Sequence, residues 1–465
     1  MKVMKFGGSS LADADRIRSV ASIVTESGGS TAAMVLSAMK GVTDLLITAA
    51  TRAAAGDTRY KEELATIIER HREVAEDLLA DSPERRPVRE AVDALIEELG
   101  DLLRGVELVQ ECSPRTLDLI VSFGERLNCT ICAAYLRSQG DPAQMVDARK
   151  LIITDNTHGS AVVEFDRSYR LIEDALAGLP EGTIPVITGF IASTEDGVTT
   201  TLGRNGSDYT ASLIGAALSA EAVEIWTDVD GVLSADPRVV PEAFVVEEIS
   251  LQEAMELSYF GAEVIHPFTM VPAIERGVPL WIKNTLNPAA RGTRISDNPP
   301  PTQRPITGVA SIENVALINV EGGGMMGIPG MASRVFTAMA RASVNVIMIS
   351  QASSEHSICL VIRESEVERA LNGLRSELDY ELKRRQIDDF VHIPGLEIIA
   401  VIGANMRGTP GISGRLFSAL GAEGINVLAI AQGSSEMNIS FLVRSAERAH
   451  TLQTVHRAFF KESGS

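Results

Sequence analysis

Short apolar runs alternate with longer amphipathic stretches over residues 1 to about 295. The runs are rich in β-branched residues, whereas apolar positions in the stretches recur at the spacing of a helix face. Such alternation predicts an α/β domain with a parallel sheet between two layers of helices. The predicted strands are Val3–Phe6, Met34–Ser37, Pro185–Phe190, Val223–Trp226 and Pro279–Lys283.

One part of this region carries almost no strand signal. Residues 60–110 are rich in Glu, Arg and Leu, and only Ser82-Pro83 breaks the helical pattern. We expect a helical insertion here.

Prolines mark the end of the first domain. The segment 297–305 contains four of them, and proline lacks the amide donor that a helix or a central strand requires. We therefore predict a first domain over residues 1–296 and a linker over 297–305.

The remaining chain contains an internal repeat. The segment 324–361 recurs as 405–442 at a constant offset of 81 residues, so that Gln351 corresponds to Gln432. Each copy has the order β-α-β-β-α, with strands at 315–320 and 397–402, which is typical of a ferredoxin-like α+β unit. We predict two such domains, 306–392 and 393–465, packed side by side. Their inward helix positions are Val335, Phe336, Met339, Leu416, Phe417 and Leu420.

Composition excludes several functional classes. A net charge of -20 repels nucleic acids and anionic lipids, and no apolar segment is long enough to cross a membrane. Four cysteines in 465 residues do not form a disulfide scaffold. Residues 1–7 do not resemble a secretory signal. We expect a cytoplasmic protein with no nucleic-acid or membrane partner.

The first candidate site is a glycine turn after the first strand. Lys5 precedes Gly7 and Gly8, and Ser10 with Asp13 forms a capping pair for a helix predicted over 11–24. Adjacent glycines at a helix start expose backbone N–H groups to an anion, and a lysine adds charge, so a phosphate would fit. The spacing differs from that of a P-loop, and an ordinary turn is the alternative.

A second glycine turn, residues 203–208, leads into another predicted helix. Arg204 offers a planar fork that matches a carboxylate, and Asp208 in the first helical turn could hold Lys5. A simple N-cap with solvated charges is the alternative.

A third polar loop, residues 227–231, follows the strand Val223–Trp226. Ligands of open α/β sheets bind at such strand ends. The spacing of Asp228, Asp230 and Asp236 lacks the closing glutamate of a calcium loop, so we predict no metal site. Arg238 could reach a nucleotide phosphate.

These motifs together resemble aspartate kinase over nearly the entire chain. The resemblance rests on residues 5–10, 37–39 with Thr43, 122–125, 203–208, 226–238, 254–262 and 282–285. The repeats resemble the tandem ACT domains of that family. The likeness is greatest to the kinase portion of threonine-sensitive aspartate kinases fused to homoserine dehydrogenase, and we expect no second enzyme after Ser465.

The resemblance implies an amino acid kinase fold and an activity that converts ATP and L-aspartate to ADP and 4-phospho-L-aspartate. This reaction opens the pathway to lysine, threonine and methionine. Mg²⁺ would arrive with the nucleotide. The implied roles are catalysis by Lys5 and Asp208, substrate binding by Thr43, Glu125, Arg204 and Ser207, and nucleotide binding by Lys5, Gly7, Gly8, Thr227, Asp228, Leu233, Ser234, Asp236 and Arg238.

The repeat also predicts regulation. A Gly-x-Pro-Gly loop precedes a helix in each copy, and the backbone N–H groups at that helix start are suited to bind the carboxylate of an amino acid. In threonine-sensitive relatives, glutamines that match Gln351 and Gln432 contact the effector, so we expect L-threonine, with lysine as the alternative. Alternatively, the side-chain amides of these glutamines could only form hydrogen bonds with backbone groups at an interface. The resemblance further implies a homodimer through the ACT domains, with a tetramer left open.

We assign no catalytic role to the cysteine pair or to two of the histidines. We interpret Cys129 and Cys132, three positions apart in one helical run, as core residues, and His266 as structural. His158 is expected on a loop near the substrate cleft. Glu263 and Leu233 depart from the family, where lysine and an aromatic residue are found.

Rival functions are glutamate 5-kinase, acetylglutamate kinase and uridylate kinase, which tandem ACT repeats disfavour. A catalytically silent amino-acid sensor is the rival from another class. The presence of Lys5, Arg204 and Asp208 argues against it.

Overall fold

The computed structural model describes residues 1–27, 32–260, 267–300, 304–323, 329–351 and 357–461. The chain divides into two compact units. The first comprises Met1–Val232, Glu247–Leu251 and Val264–Pro299, and the second comprises Leu233–Val246, Gln252–Glu263 and Pro300–Ser465. Two segments within the range predicted for the first domain, 233–246 and 252–263, thus belong to the second unit.

The first unit contains an eight-stranded sheet and a separate two-stranded hairpin. The sheet has the order β3-β4-β2-β1-β7-β9-β10-β8, and all its neighbouring strands are parallel except the pair β9 and β10. Its central strands β1, β2 and β7 are almost completely buried, as expected for a sheet covered on both faces. The strands are β1 Lys2–Phe6, β2 Ala32–Leu36, β3 Ala143–Val146, β4 Ile184–Thr188, β5 Ile191–Ser193, β6 Thr199–Thr201, β7 Ala222–Thr227, β8 Glu248–Ser250, β9 Leu280–Asn284 and β10 Thr293–Ser296.

All five predicted strands are confirmed, with small shifts at their ends. Pro185–Phe190 was predicted too long, because the chain turns at Phe190, whose φ is 68°. The helical insertion is also confirmed as two helices, α3 and α4. The helices before residue 300 are α1 Ala14–Ser27, α2 Val42–Ala54, α3 Tyr60–Leu79, α4 Arg85–Val109, α5 Pro114–Val121, α6 Phe123–Ser138, α7 Phe165–Ala177, α8 Gly206–Ala217, α9 Leu251–Tyr259 and α10 Val271–Glu275.

The second unit contains both copies of the repeat on one antiparallel sheet, in the order β12-β13-β11-β14-β16-β15. The predicted order β-α-β-β-α and the side-by-side packing are confirmed. The elements are β11 Gly308–Glu321, α11 Met331–Arg341, β12 Met348–Gln351, β13 Ser357–Arg363, α12 Val367–Glu377, α13 Asp379–Lys383, β14 Asp389–Ile402, α14 Ile412–Ala422, β15 Ala429–Gln432, β16 Asn438–Arg444 and α15 Arg448–Phe460.

Strands β11 and β14 are longer than predicted because each serves both copies. Residues 308–312 of β11 pair with 398–402 of β14, whereas residues 315–321 pair with β13 and with 389–396. The residues just before the first copy therefore complete the sheet of the second copy.

Each copy has its own apolar core. The predicted inward positions Val335 and Met339, and Leu416 and Leu420, are buried there. Phe336 and Phe417 are only partly buried against these cores. Among the described residues, no helix combines the length and apolar character that a membrane span requires.

Candidate functional site

Loops that carry the predicted site residues follow the carboxyl ends of β1, β2 and β7. These strands are parallel neighbours, and Phe6 pairs with both Leu36 and Trp226. Their next residues therefore emerge at one edge of the sheet, where open α/β sheets bind ligands.

The loop after β1 differs from its prediction. Gly8–Leu11 forms one turn of 3-10 helix, and the α-helix begins only at Ala14. Asp13 caps that helix by accepting a hydrogen bond from the backbone N–H of Arg16 at 2.9 Å. The predicted capping role of Ser10 is wrong, because its buried hydroxyl lies 2.9 Å from that of Thr285 instead.

Gly8 lies in tight contact with the loop after β2. A Cβ atom at this position would lie 3.0 Å from the carbonyl oxygen of Ala38, so a larger residue would separate the two loops. Two buried side chains of α6 hold the second loop: Asn128 donates to the carbonyl of Ser37 at 2.7 Å, and Glu125 accepts from the N–H of Ala38 at 3.1 Å. Gly7 lies beside Lys5, since a Cβ atom there would be 3.4 Å from the lysine Nζ.

The predicted partnership of Lys5 and Asp208 is present in the structure. Lys5 Nζ lies 2.6 Å from Asp208 Oδ1, and both side chains are largely buried. Asp208 is in the first turn of α8, as predicted. Its neighbour Ser207 accepts a hydrogen bond from the hydroxyl of Ser37 at 2.9 Å, which ties α8 to the loop after β2. Ser37 was not predicted as a site residue.

Glu125 is a buried carboxyl group with unused hydrogen-bonding capacity. Only 3% of the residue is exposed, and Oε2 has no hydrogen-bond partner. Burial raises the pKa of Glu125 to about 8, and the N–H of Ala38 opposes that rise only in part. A cationic group beside Oε2 would restore the ionised form.

Arg204 and Thr43 lie where a ligand could reach them. Arg204 is exposed between Gly203 and Asn205, which both have left-handed backbone angles, with φ of 78° and 56°. Thr43 is the second residue of α2 and is half-buried.

Residues after β7 are held by the chain that follows β9. Both the backbone N–H and the hydroxyl of Thr285 donate to the carbonyl of Thr227, each at 2.8 Å. Asp228 is exposed and accepts from the Thr227 hydroxyl at 3.2 Å. Thr285 thus links the loops after β1 and β7, a positioning contact that the sequence motif 282–285 did not reveal.

Four residues predicted to bind nucleotide belong to the second unit. Ser234 Oγ lies 3.0 Å from His456 Nε2, and Gln453 donates to the carbonyl of Val239 at 2.8 Å, so α15 holds this segment. Leu233 is half-buried. Asp236 pairs with Arg238 at 2.9 Å and lies 3.6 Å from Arg448.

The predicted effector residues occupy equivalent strand ends. Gln351 ends β12 and Gln432 ends β15, and both are exposed. The hydroxyl of Ser350 donates to the carbonyl of Ile430 at 3.1 Å, so the two strands are neighbours.

The structure also describes three residues to which the sequence assigned no catalytic role, namely Cys129, Cys132 and His158. Cys129 and Cys132 are buried in α6, where burial raises the pKa of Cys132 to about 12. His158 lies on a loop and contacts Asp118. Glu263, His266 and the segments 324–328 and 352–356 lie outside the described residues.

Comparison with known families assigns both parts of the chain. The profile of the amino acid kinase family matches residues 1–284, and that of an ACT domain matches 318–378 and 399–459. Aspartokinase 1 of Arabidopsis thaliana is 36% identical over 99% of this chain and 80% of its own length. The chain belongs to the aspartokinase family.

Other aspartokinases support this assignment. The bifunctional aspartokinase/homoserine dehydrogenase 2 of Arabidopsis thaliana is 39% identical over 98% of this chain, which spans 50% of that protein. Aspartokinase III of E. coli, in complex with lysine and aspartate, matches with a TM-score of 0.82 and 31% identity over 99% of this chain and 100% of its own. Its complex with aspartate and ADP matches with a TM-score of 0.77.

Proposed function

We propose that this aspartokinase transfers the γ-phosphoryl group of ATP to the β-carboxylate of L-aspartate, forming ADP and 4-phospho-L-aspartate. The observation that carries the proposal is the ion pair between Lys5 and Asp208, which lies beside the two glycine turns. The E. coli relative was crystallised with aspartate and with ADP, which supports the same pair of substrates.

Phosphoryl transfer needs positioning and charge neutralisation more than a protein nucleophile. In the proposed mechanism Lys5 neutralises charge on the transferred group, and Asp208 fixes the position of the lysine ammonium. The acceptor carboxylate is ionised at neutral pH and attacks without a general base.

The amino acid is held by its other charged groups. The guanidinium group of Arg204 donates two hydrogen bonds to the α-carboxylate. The unpartnered Oε2 of Glu125 accepts a hydrogen bond from the α-ammonium group. When the substrate binds, Glu125 would lose its proton and pair with the α-ammonium group. The site would therefore select ligands that carry an ammonium group, as an amino acid does. Thr43 and Ser207 supply hydroxyl groups that orient the substrate.

Nucleotide phosphates would lie against the backbone of Gly7 and Gly8 and against Thr227 and Asp228. Mg²⁺ bound to the phosphates would supply further charge neutralisation.

Regulation is proposed to act through the paired ACT repeats of a homodimer, with threonine as effector at Gln351 and Gln432. The equivalent positions of these glutamines, at the ends of two strands that contact each other through Ser350 and Ile430, support a paired site. Lysine, which is bound in the E. coli relative, is the second candidate. The enzyme would then catalyse the first step towards lysine, threonine and methionine, under control of an end product.

The decisive experiment traps the acyl phosphate. Purified protein is incubated with ATP, Mg²⁺, hydroxylamine and either L-aspartate or L-glutamate, and the hydroxamate and ADP are both measured. We expect equal amounts of ADP and hydroxamate with aspartate only, and both products to form about 10²- to 10³-fold more slowly in Lys5→Met. Turnover with glutamate, or none with aspartate, would contradict the proposal and favour a different amino acid kinase or a silent sensor.

A further inference from the structure

We infer that the buried pair of Asp118 and His158 positions Arg204 for the amino-acid substrate. This inference rests on the proposed function, in which Arg204 holds the α-carboxylate. Neither residue of the pair contacts the reacting atoms in this scheme, so both are positioning residues.

Asp118 connects three separate segments. His158 Nδ1–H donates to Oδ2 at 2.7 Å, the backbone N–H of Gly159 donates to the same oxygen at 3.1 Å, and the hydroxyl of Thr201 donates to Oδ1 at 2.6 Å. The Asp118 and His158 side chains are only 4% and 12% exposed. Hydrogen bonds to a buried carboxylate are stronger than those between neutral groups, so this arrangement restrains both the 158–159 loop and β6.

The restrained loop supports the turn that carries Arg204. The N–H of Ala161 donates to the carbonyl of Thr201 at 2.9 Å. A Cβ atom at Gly203 would lie 3.2 Å from Ser160 Cβ and 3.3 Å from the carbonyl oxygen of Gly159. With φ of 78°, Gly203 also needs the left-handed conformation that glycine adopts readily. Movement of residues 158–160 would therefore change the direction of the next residue, Arg204.

The same aspartate is fixed relative to Glu125. Asp118 lies in α5, and Glu125 is the third residue of α6, which begins only two residues after α5 ends. The N–H of Ser122 donates to the carbonyl of Asp118 at 3.2 Å, and the N–H of Arg126 donates to that of Ser122 at 3.3 Å. Asp118 thereby sets the position of the proposed α-carboxylate binding turn relative to the proposed α-ammonium acceptor.

The test compares His158→Ala with His158→Asn, whose amide can place a donor near the position of the imidazole Nδ1. Loss of one hydrogen bond to a charged group is expected to raise KM for aspartate about 10-fold. We expect kcat and KM for ATP to change by less than about 2-fold, because Lys5 and the first glycine turn, Gly7 and Gly8, are untouched. His158→Asn should recover most of the affinity for aspartate.

A double-mutant cycle separates positioning from a general structural role. If His158 acts through Arg204, then His158→Ala should change kcat/KM for aspartate by less than about 2-fold once Arg204 is alanine. Independent, multiplicative effects would overturn the inference, as would an unchanged KM in His158→Ala.

The matched control is His450→Ala, which removes a histidine–carboxylate pair with Glu423 in the second unit and should leave KM for aspartate unchanged. Absence of aspartate phosphorylation in the wild-type protein would contradict the proposed function, and the inference with it. Normal wild-type activity with unaltered His158→Ala kinetics would contradict only the inference.

Discussion

Lys5 Nζ and Asp208 Oδ1 lie 2.6 Å apart, with side chains that are 12% and 9% exposed. Leaving either charge unpaired in so buried a place would be costly. Lys5 is the second-to-last residue of β1 and Asp208 lies in the first turn of α8, so their contact joins the two glycine turns.

Replacing Lys5 tests its proposed role in the transition state. Lys5→Met removes the charge and keeps most of the side-chain length, so kcat should fall about 10²- to 10³-fold. KM for aspartate should change by less than about 3-fold, because other residues are proposed to bind the amino acid. Steady-state kinetics check this, with Lys383→Met, an exposed lysine paired with Asp379, as the control. An unchanged kcat would exclude Lys5 from catalysis.

Glu125→Gln is expected to weaken aspartate binding and to make the thermal stability of the unliganded protein less dependent on pH. The amide cannot pair with the α-ammonium as a carboxylate does, so KM for aspartate should rise about 100-fold. Because the folded pKa of about 8 exceeds the ordinary value of 4.5, Glu125 favours folding most below pH 4.5, and this contribution is lost as pH rises to 8. Between pH 6 and 9 the unliganded wild type should therefore lose more thermal stability than Glu125→Gln.

Calorimetry of both proteins at several pH values measures this difference. Glu195→Gln, which changes an exposed ion pair with Arg167, serves as the control and should follow the wild type. Parallel pH profiles for wild type and Glu125→Gln would show that the carboxyl group is not protonated when buried.

His71 should make the fold sensitive to acid. The side chain is fully buried, its Nδ1–H donates to the carbonyl of Ile67 at 2.7 Å, and burial lowers its pKa from 6.5 to about 4. Between pH 6.5 and 4 the unfolded chain takes up a proton that the folded chain excludes, so stability falls as pH falls. Between pH 7.5 and 5 the wild type should lose about 2 kcal/mol more than His71→Met. Equal losses in denaturant titrations of the two proteins would contradict this.

Gly189 should not tolerate a side chain. A Cβ atom there would lie 2.6 Å from Ser207 Oγ and 3.0 Å from the carbonyl oxygen of Leu36. Gly189→Ala should displace Ser207, lower the free energy of unfolding by about 1–3 kcal/mol and raise KM for aspartate. The control Gly105→Ala lies in α4 with open space for a Cβ atom and should stabilise the protein by about 0.5–1 kcal/mol. Equal thermal stability of the two variants would refute the steric explanation.

Gln351→Ala and Gln432→Ala should weaken feedback without affecting the uninhibited reaction. We expect at least about a 10-fold rise in the threonine concentration for half-inhibition, because each loses an effector hydrogen bond. Titration with threonine, lysine and methionine identifies the effector, and Gln139→Ala, an exposed glutamine of the first unit, is the control. Normal inhibition in both variants would remove the glutamines from the effector site.

Local patterns predicted much of the fold and part of the candidate site. Hydrophobic periodicity located the central strands and the insertion, and the 81-residue offset predicted the duplicated second unit. The role of Ser10 was predicted wrongly, because its partner Thr285 is distant in sequence. The hydrogen bonds of Ser37 and Asp118 also depend on distant segments, and no local pattern indicated them.

The sequence by itself determined the central strands and the helical insertion, because side-chain periodicity and turn residues act over a few positions. It also determined the chemistry of Lys5, Arg204 and Asp208. Only the tertiary structure decided that Glu125 keeps an unpaired oxygen and that residues 308–312 complete the sheet of the second repeat. These features depend on the register of strands and the packing of loops far apart in the chain, which distance in sequence does not encode.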